Sequence, residues 1–459
     1  MKLTPKNKER IISLATWICR LLVGATFIFS GFVKAVDPWG TLYKVKDYLG
    51  VLQIDLWPNL VLVGVFALCA LEFLTGVFVL LGCFRRSIPW VVAAIMLFMT
   101  PLTLWIAIAN PVADCGCFGD AWVISNWATF WKNVALCIMT VWLIRFNARV
   151  RCIVAPWLQW LCFVASGAFI AVIALTGYLY QPLLDFRPYK LGMPIVDVTA
   201  DTGDASPDDS YDETADLVFV YEKDGVKKEF TADDELPDES DGWVFVERKM
   251  RSDDLGPSDG NAGAGNYGQS DLKDKSDSSA SDFRIWSEDG TRDVTSEVAS
   301  PEGKRIFLMM PDLAHVSTAV SWQINSLYTW AQNQDIDMIA VVSGDEGDIA
   351  AWKDRSLASY PVYTADDTAI KEVVRGNPAV VYTEDGKIVW KSSLRALDTD
   401  DFLADGTSTD PRSFAIDNPR LLRNYTGLYL VVLAVLVAIS FSPKLTRLFF
   451  PKKRVHQNS

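Results

Sequence analysis

Five long apolar stretches occupy the first 180 residues, and a sixth follows a long polar region near the carboxyl end. They are roughly Ile11–Val33, Leu60–Gly82, Ile88–Ala109, Trp127–Phe146, Ile153–Tyr178 and Tyr425–Ser442. Each is close to the ~20 residues that a helix needs to cross the hydrocarbon core of a bilayer. The pattern therefore predicts a membrane α-helical bundle of six spans that contacts the lipid bilayer.

Basic residues flank the predicted spans on alternate sides, and their placement predicts the orientation. They are Lys2, Lys6, Lys8 and Arg10 before the first span, Arg85 and Arg86 after the second, Arg145, Arg149 and Arg151 after the fourth, and Lys444, Arg447, Lys452, Lys453 and Arg454 after the sixth. Positive loops stay in the cytoplasm, so both termini are expected inside and residues 180–423 outside. A cleaved signal peptide is the alternative for the first stretch, but its length and Arg20 argue against it.

The polar region differs from the membrane part in charge. Residues 201–300 contain 28 Asp and Glu against 10 Lys and Arg, an acidity that argues against a nucleic-acid partner. Residues 181–251 are expected to form an acidic segment that is mobile over 199–216. In it, Leu217–Tyr221 and Lys228–Phe230 predict a β-hairpin that turns at Asp224 and Gly225, and Trp243–Val246 is a candidate strand. Residues 252–281, rich in Ser, Asp and Gly, predict a disordered linker.

A second compact region is predicted over residues 282–405. Apolar runs at Arg305–Met310, Asp337–Val342 and Pro361–Tyr363 alternate with helical patterns, and a hairpin at Ala379–Tyr382 and Ile388–Lys391 follows. This order predicts an α/β domain around a sheet of mixed strand directions. Residues 424–459 then supply the last span and a basic tail.

The first predicted span contains the charged residue Arg20, and the second contains Glu72. A charge inside the bilayer is costly and marks a paired or functional site. Arg20 and Glu72 both lie nine to ten residues from the cytoplasmic ends of their spans, which is ~14–15 Å at 1.5 Å per residue. We therefore predict that they pair, either as a structural lock or in proton or quinone chemistry.

The loop between the third and fourth spans contains a close cysteine pair, Cys115 and Cys117, separated by Gly116. The predicted topology places this loop on the oxidising side, where disulfides persist. A ring closed between residues two apart is strained, which favours a labile, catalytic bond over a passive one, although a structural disulfide and free thiols stay open. The neighbouring Asp114 and Asp120 are expected to raise the thiol pKa values. No metal site is expected, because structural zinc needs four ligands and the chain has two histidines.

The first 180 residues carry a recognisable combination of motifs. They are the run Phe29-Ser30-Gly31-Phe32-x-Lys34-x-x-Asp37-Pro38-x-Gly40, the membrane carboxylate Glu72 with Gly76 and Gly82 after it, and the Cys-Gly-Cys-Phe-Gly loop. Over residues 10–180 the chain resembles the DoxX/MauE family of redox-associated membrane proteins. The resemblance implies a five-span bundle, residues 1–180, in a bacterial inner membrane, with Cys115 and Cys117 as its thiol pair and residues 180–423 in the periplasm. MauE members help mature a disulfide-rich periplasmic dehydrogenase in methylamine utilisation, and DoxX members are linked to quinone-dependent oxidation.

Residues 282–405 are similar in element order to the thioredoxin fold, with Asn377 and Pro378 where that fold keeps a cis-proline. The position of the thioredoxin Cys-x-x-Cys motif reads Met310-Pro311-Asp312-Leu313-Ala314-His315 and contains no cysteine. The resemblance therefore implies a degenerate thioredoxin-like domain that binds but does not exchange disulfides, with His315 as a surface residue.

Two functions are compatible with these observations. In the first, Cys115 and Cys117 are catalytic and exchange disulfides, and a quinone near Arg20 and Glu72 accepts the electrons. In the second, the protein is a non-enzymatic scaffold or maturation factor whose cysteine-free domain binds a periplasmic client protein. A small-molecule transporter is less favoured, because polar residues are few along the spans.

Overall fold

The computed structural model describes residues 5–54, 56–110, 115–150, 152–196, 217–223, 226–231, 244–250, 283–299, 302–403 and 410–441. The predictions of a mobile segment over 199–216 and of a disordered linker over 252–281 lie outside the described residues. Contact clustering divides the chain into one unit of residues 1–196 and 282–459 and another of residues 197–281.

Within the described residues, six helices are long and apolar enough to cross a membrane, as predicted. They are α1 (Pro5–Val36), α3 (Pro58–Leu81), α4 (Ile88–Ala109), α5 (Asn126–Arg145), α6 (Gln159–Leu179) and α12 (Asn418–Phe441). Their outward faces are apolar, with Leu97 78 % and Phe98 68 % exposed. Such a surface suits lipid rather than water, so the protein is a multi-pass membrane protein.

Helix α1 lies at the centre of the bundle, where it contacts α3, α5 and α6. Its contact with α3 is unusually close, because glycines replace side chains at the crossing. A Cβ atom at Gly31 would lie 2.4 Å from the backbone nitrogen of Phe73, and one at Gly76 would lie 2.5 Å from the nitrogen of Ile28. Small residues at membrane helix contacts allow this approach of two backbones, and they fix the antiparallel register of α1 and α3.

Two further helices complete the membrane part. The short helix α2 (Pro38–Val51) begins at Asp37, whose side chain accepts the backbone N–H of Gly40 at 2.9 Å. Its apolar face, with Leu42 buried, packs on the bundle. The last helix, α12, joins α6 through Tyr429, whose ring stacks on Phe169 with centroids 4.3 Å apart.

The α/β domain contains a five-stranded mixed sheet in the order β6-β5-β4-β7-β8. Its strands are β4 (Lys304–Met310), β5 (Asp337–Val342), β6 (Val362–Thr364), β7 (Ala379–Glu384) and β8 (Lys387–Ser393). β4 pairs in parallel with β5 and antiparallel with β7. The predicted mixed α/β sheet is confirmed.

Both faces of this sheet are covered, which explains why its strands read as continuous apolar runs. Ile306 and Leu308 of β4 belong to the core beneath helices α8 (Ser321–Asn333) and α9 (Glu346–Ser356). Phe307 and Met309 face the other core, beneath α7 (Thr295–Val298) and α10 (Asp367–Val373). A last short helix, α11 (Asp400–Leu403), follows β8.

Residues after α6 return to the sheet of the α/β domain. The backbone N–H of Gly192 donates to the carbonyl of Ile388 at 2.7 Å, and Tyr189 and Ile195 are buried in the domain core. Asp185 accepts hydrogen bonds from Arg187 and Lys391. This segment, which sequence grouped with the acidic region, therefore packs as part of the α/β domain.

The second unit contains a three-stranded antiparallel sheet of β1 (Leu217–Lys223), β2 (Val226–Thr231) and β3 (Val244–Met250), in the order β2-β1-β3. The sheet includes the predicted hairpin and the predicted third strand.

The α1–α3 contact generates a stability prediction. Replacing Gly31→Ala should destabilise the protein by about 1–3 kcal/mol, because the added methyl group overlaps the α3 backbone and forces the helices apart. Thermal unfolding of the purified protein in detergent measures the effect. The matched control is Gly64→Ala, whose Cβ atom would meet nothing within 4 Å. Equal unfolding temperatures for the two variants would contradict the close packing.

Candidate functional site

The two cysteines of the loop between α4 and α5 lie next to each other. Their Sγ atoms are 2.7 Å apart, and both residues are free thiols in this structure. Gly116 between them has a φ of +64°, a conformation that glycine adopts without strain. A Cβ atom there would also lie 2.6 Å from the side chain of Lys44. The positive φ of Gly116 therefore allows the backbone to bring the two thiols together.

A buried ion pair lies directly beneath the thiol loop. Lys34 of α1 donates to both carboxylate oxygens of Glu72 of α3, at 2.8 and 2.7 Å, and the two side chains are only 6 % and 5 % exposed. Glu72 is thus paired, as a membrane carboxylate is expected to be, but its partner is Lys34.

Ser30 connects this ion pair to the thiol loop. Its hydroxyl lies 2.8 Å from Glu72 Oε2 and 2.7 Å from the carbonyl oxygen of Cys117, and it accepts a hydrogen bond from Lys34 Nζ at 2.9 Å. The hydroxyl has one hydrogen for two oxygen acceptors. Glu72 and the Cys117 carbonyl therefore compete for that hydrogen, so the loop contact and the ion pair are linked.

The predicted contact between Arg20 and Glu72 is wrong. Arg20 donates to the carbonyls of Val79 and Leu80, at 3.1 and 2.7 Å, near the end of α3. The prediction counted depth separately along each span, whereas α1 begins at Pro5 and extends beyond the end of α3. The glycine contacts set the register of the two helices, and in that register Glu72 faces Lys34.

The electrostatic environment of Cys117 favours a thiolate. A hydrogen bond from the Cys115 thiol, assisted by the positive charges of Lys132 and Lys34, lowers the pKa of Cys117 to about 6 although burial opposes the shift. The same hydrogen bond and burial raise the pKa of Cys115. Lys132 Nζ lies 4.1 Å from the centre of the Phe118 ring, beside the loop. Low-pKa thiols of this kind are the reactive ones.

The expected opposing influence of the flanking aspartates does not apply at Asp120. Its carboxylate pairs with Arg375 at 2.9 Å and with Lys44 at 3.6 Å, which neutralises its charge. Asp114 lies outside the described residues. Asp120 is therefore not expected to disfavour a thiolate at Cys117, near which Lys132 and Lys34 lie.

Arg375 connects the α/β domain to the membrane part. Its guanidinium donates to both oxygens of Asp37, at 3.0 and 2.8 Å, and to Asp120 Oδ2 at 2.9 Å. Gln181 holds its backbone, donating to the Arg375 carbonyl at 2.6 Å and accepting from its N–H at 3.0 Å. Burial alone would raise the pKa of Asp37, but the charge and hydrogen bonds of Arg375 lower it below its ordinary value.

The remaining motif residue, Gly40, lies inside this contact. A Cβ atom there would be 2.6 Å from Asp37 Oδ2 and 3.1 Å from Arg375 Nη2. The three motif positions Lys34, Asp37 and Gly40 therefore serve two contacts, with Lys34 in the membrane ion pair and the other two at the domain junction.

The degenerate thioredoxin positions lie together on the α/β domain. Asn377 precedes Pro378 in a cis peptide bond, and its side chain donates to the carbonyl of Asp312 at 2.6 Å. His315 has an 82 % exposed side chain, and its ring nitrogen lies 2.8 Å from Asp312 Oδ1. These contacts join the loop of Pro311 to the loop of Pro378. Among the described residues, no group of three or more His, Cys, Asp and Glu is placed to hold a metal.

The cavity beside Glu72 and Cys117 is small. Glu72 and Cys117 border a cavity of about 30 Å³ that Lys132 and Phe118 also line. This volume is close to that of one water molecule. Arg20 lies at a different level, next to the carbonyls of Val79 and Leu80.

Sequence reasoning missed three residues of the site: Ser30, Lys132 and Arg375. Ser30 and Lys34 are four residues apart on α1, a spacing that places them on one helix face. Lys132 is a charge inside a predicted span, the same signal that marked Glu72. Arg375 carries no comparable signal, because it lies 338 residues from Asp37 in the chain.

Comparison with known families supports part of the predicted resemblance. Residues 12–146, which include α1 to α5 and the thiol loop, match the family model of methylamine utilisation protein MauE. Residues 215–251, which include β1 to β3, match a domain of unknown function (DUF8463). Searches of curated proteins and of solved structures gave no match. The membrane part is thus MauE-like, whereas the DoxX and thioredoxin resemblances stay predictions.

The Arg375 contact generates a prediction about local stability. Replacing Arg375→Ala leaves Asp37 buried without its main partner, which typically costs about 3–5 kcal/mol. We expect faster amide hydrogen exchange over residues 37–41 and 115–121, with exchange in the sheet unchanged. The matched control is Arg395→Ala, because Arg395 is exposed on the same domain. Equal amide hydrogen exchange in the two variants would contradict a stabilising role of Arg375 at this junction.

Proposed function

We propose that the protein is a membrane-bound thiol–disulfide exchange protein in which Cys117 is the attacking residue and Cys115 the resolving one. The observation that carries the proposal is the placement of Cys117 beside a second thiol, 2.7 Å away, and two lysines. An anionic sulfur is the nucleophile in disulfide exchange, and cations next to it raise its population at neutral pH.

The exchange conserves atoms and electrons without a further reactant. The Cys117 thiolate attacks one sulfur of a client disulfide, which breaks the client bond and releases one client thiolate. Cys115 then gives up its proton and attacks Cys117 of the mixed disulfide, which releases the second client sulfur. The products are a Cys115–Cys117 disulfide and a client dithiol, and the reverse sequence oxidises a client.

Ser30, Lys34 and Glu72 act as positioning residues in this proposal. Ser30 holds the Cys117 carbonyl at 2.7 Å, and the ion pair fixes Ser30. Lys34 also adds a positive charge near the sulfur. The hydroxyl hydrogen for which Glu72 and the Cys117 carbonyl compete links the position of the loop to the ion pair.

The client and the acceptor belong to the proposal as well. The family name of the matched segment points to methylamine utilisation, so we propose a disulfide-bearing periplasmic protein of that process as the client. The positive clusters predict the required orientation, with both termini in the cytoplasm of a bacterial inner membrane. In the reverse direction, in which the client is oxidised and Cys115 and Cys117 are left reduced, a quinone remains the proposed acceptor of their electrons.

A scaffold or maturation factor is the second candidate, and the Arg375 contact favours it. The α/β domain, which we propose to be thioredoxin-like from its strand order and the placement of Pro311 and Pro378, offers no cysteine for exchange. Arg375 fixes that domain at Asp37 and Asp120, next to the thiol loop. In this alternative the domain binds the client and the cysteines stabilise the loop.

Trapping of mixed disulfides tests the proposal. In Cys115→Ser the resolving thiol is missing, so adducts on Cys117 should accumulate several-fold above wild type. In Cys117→Ser they should not, because Cys115 has a raised pKa. Acid-quenched membranes run on non-reducing gels, with and without dithiothreitol, measure the adducts.

The double variant Cys115→Ser/Cys117→Ser sets the background in this experiment. Adduct levels in Cys115→Ser that equal this background would contradict disulfide exchange. If the double variant also supports client maturation as wild type does, the scaffold function is the correct one.

A further inference from the structure

A second group of cysteines lies at the other end of the bundle. Cys83 follows α3, and Cys152 precedes α6 in the chain, whereas Cys115 comes after α4. Because α4 has 22 residues and rises ~1.5 Å per residue, Cys83 and Cys115 are separated by about 33 Å along the helix axis. The two groups therefore cannot react directly with each other.

Three segments bring this second group together. Cys83 and Cys162 belong to one buried apolar cluster of the bundle, and Cys152 packs against that cluster. Cys83 and Cys162 are fully buried, whereas Cys152 is partly exposed. Cys83 is too far in sequence from the other two cysteines for a local turn to bring them together, so the fold itself assembles the cluster.

Backbone contacts hold the Cys83 turn against the Cys152 loop. The N–H of Ile153 donates to the carbonyl of Leu81 at 2.9 Å. On the other side, the side chain of Gln159 accepts from the N–H of Phe84 at 3.1 Å and donates to Cys152 Sγ at 3.1 Å. One glutamine thus connects the residue after Cys83 to the sulfur of Cys152.

The environment of Cys152 suits a nucleophilic thiol. The neighbouring Cys83 thiol, helped by Gln159 and by the charge of Arg20, lowers the pKa of Cys152 to about 6 despite partial burial. Arg20 is held in place by the carbonyls of Val79 and Leu80. Arg20, which does not pair with Glu72, thus contributes its positive charge near Cys152.

Cys162 differs from the other two residues in its position in the fold. It lies within α6 and is fully buried, where the helix backbone fixes its position. Cys83 and Cys152 both lie in connecting segments, outside the helices. Connecting segments adjust more readily than a packed helix when a new covalent bond forms.

We propose that Cys83 and Cys152 form a second redox-active dithiol/disulfide centre, on the side of the bundle opposite Cys115 and Cys117. Cys152 attacks glutathione disulfide, or the disulfide of an oxidised protein on that side, and one thiolate leaves. Cys83 then loses its proton and attacks Cys152 of the mixed disulfide. The Cys83–Cys152 bond forms, the partner's second sulfur leaves as a thiol, and two electrons have passed from the protein to the partner.

The test uses the full-length protein in detergent with Cys115→Ser and Cys117→Ser in place. The outcome is then independent of the proposed exchange at the first thiol pair. The protein is equilibrated with glutathione buffers of graded oxidation, acid-quenched and denatured, and its free thiols are counted by maleimide mass tagging. Peptide mass spectrometry identifies the residues that are linked.

We expect two of the six remaining thiols to be lost on oxidation, to return with dithiothreitol, and to be found as a Cys83–Cys152 link. Adding Cys152→Ser should abolish the loss, whereas the control Cys137→Ser, in α5 beside Thr100, should preserve it. The proposal is overturned if Cys83 and Cys152 stay reduced, if Cys83 links to Cys162, or if Cys152 holds only glutathione. The link is also sought in the wild-type chain, so that a folding defect of a variant cannot decide the result.

Discussion

The buried ion pair between Lys34 and Glu72 is the interaction on which the rest of the membrane part depends. Burying two charges is costly, and their attraction offsets that cost only in good geometry with further hydrogen bonds. Here Lys34 reaches both carboxylate oxygens, and Ser30 adds a third partner. The pair needs α1 and α3 in one register, which the glycine contacts at Gly31 and Gly76 permit. Through Ser30, that register also positions Cys117.

The same stretch of α1 and α2 joins the membrane part to the α/β domain. Lys34, which is buried inside the bundle, lies four positions before Pro38, which begins α2, and Asp37 between them binds Arg375. Arg375 reaches Asp120 as well, at the end of the thiol loop. A cysteine-free domain is thus fixed beside the cysteine pair. If the protein exchanges disulfides, this domain would guide a client to Cys117. If the protein is a scaffold, the domain would itself be the surface that binds the client.

The sequence was sufficient for features that depend on local pattern. Apolar length predicted six spans, and the order of strand and helix patterns predicted the mixed sheet. The need for a partner at Glu72 also followed, because an unpaired membrane carboxylate is costly. The identity of that partner did not, since it depends on how α1 and α3 are offset. Arg375 could not be found at all, because a contact across 338 residues leaves no trace in spacing.

Cys117 is the reactive thiol because Cys115 donates a hydrogen bond to its sulfur and because Lys132 and Lys34 lie near it. Its rate of alkylation by iodoacetamide in the reduced protein, followed from pH 5 to 9 by peptide mass spectrometry, tests this most directly. We expect a half-maximal rate near pH 6 for the wild-type protein. The midpoint should shift to higher pH in Lys132→Gln. It should stay unchanged in Lys46→Gln, a control at an exposed lysine of α2. A wild-type midpoint near ~8.5, the value of an ordinary thiol, would contradict it.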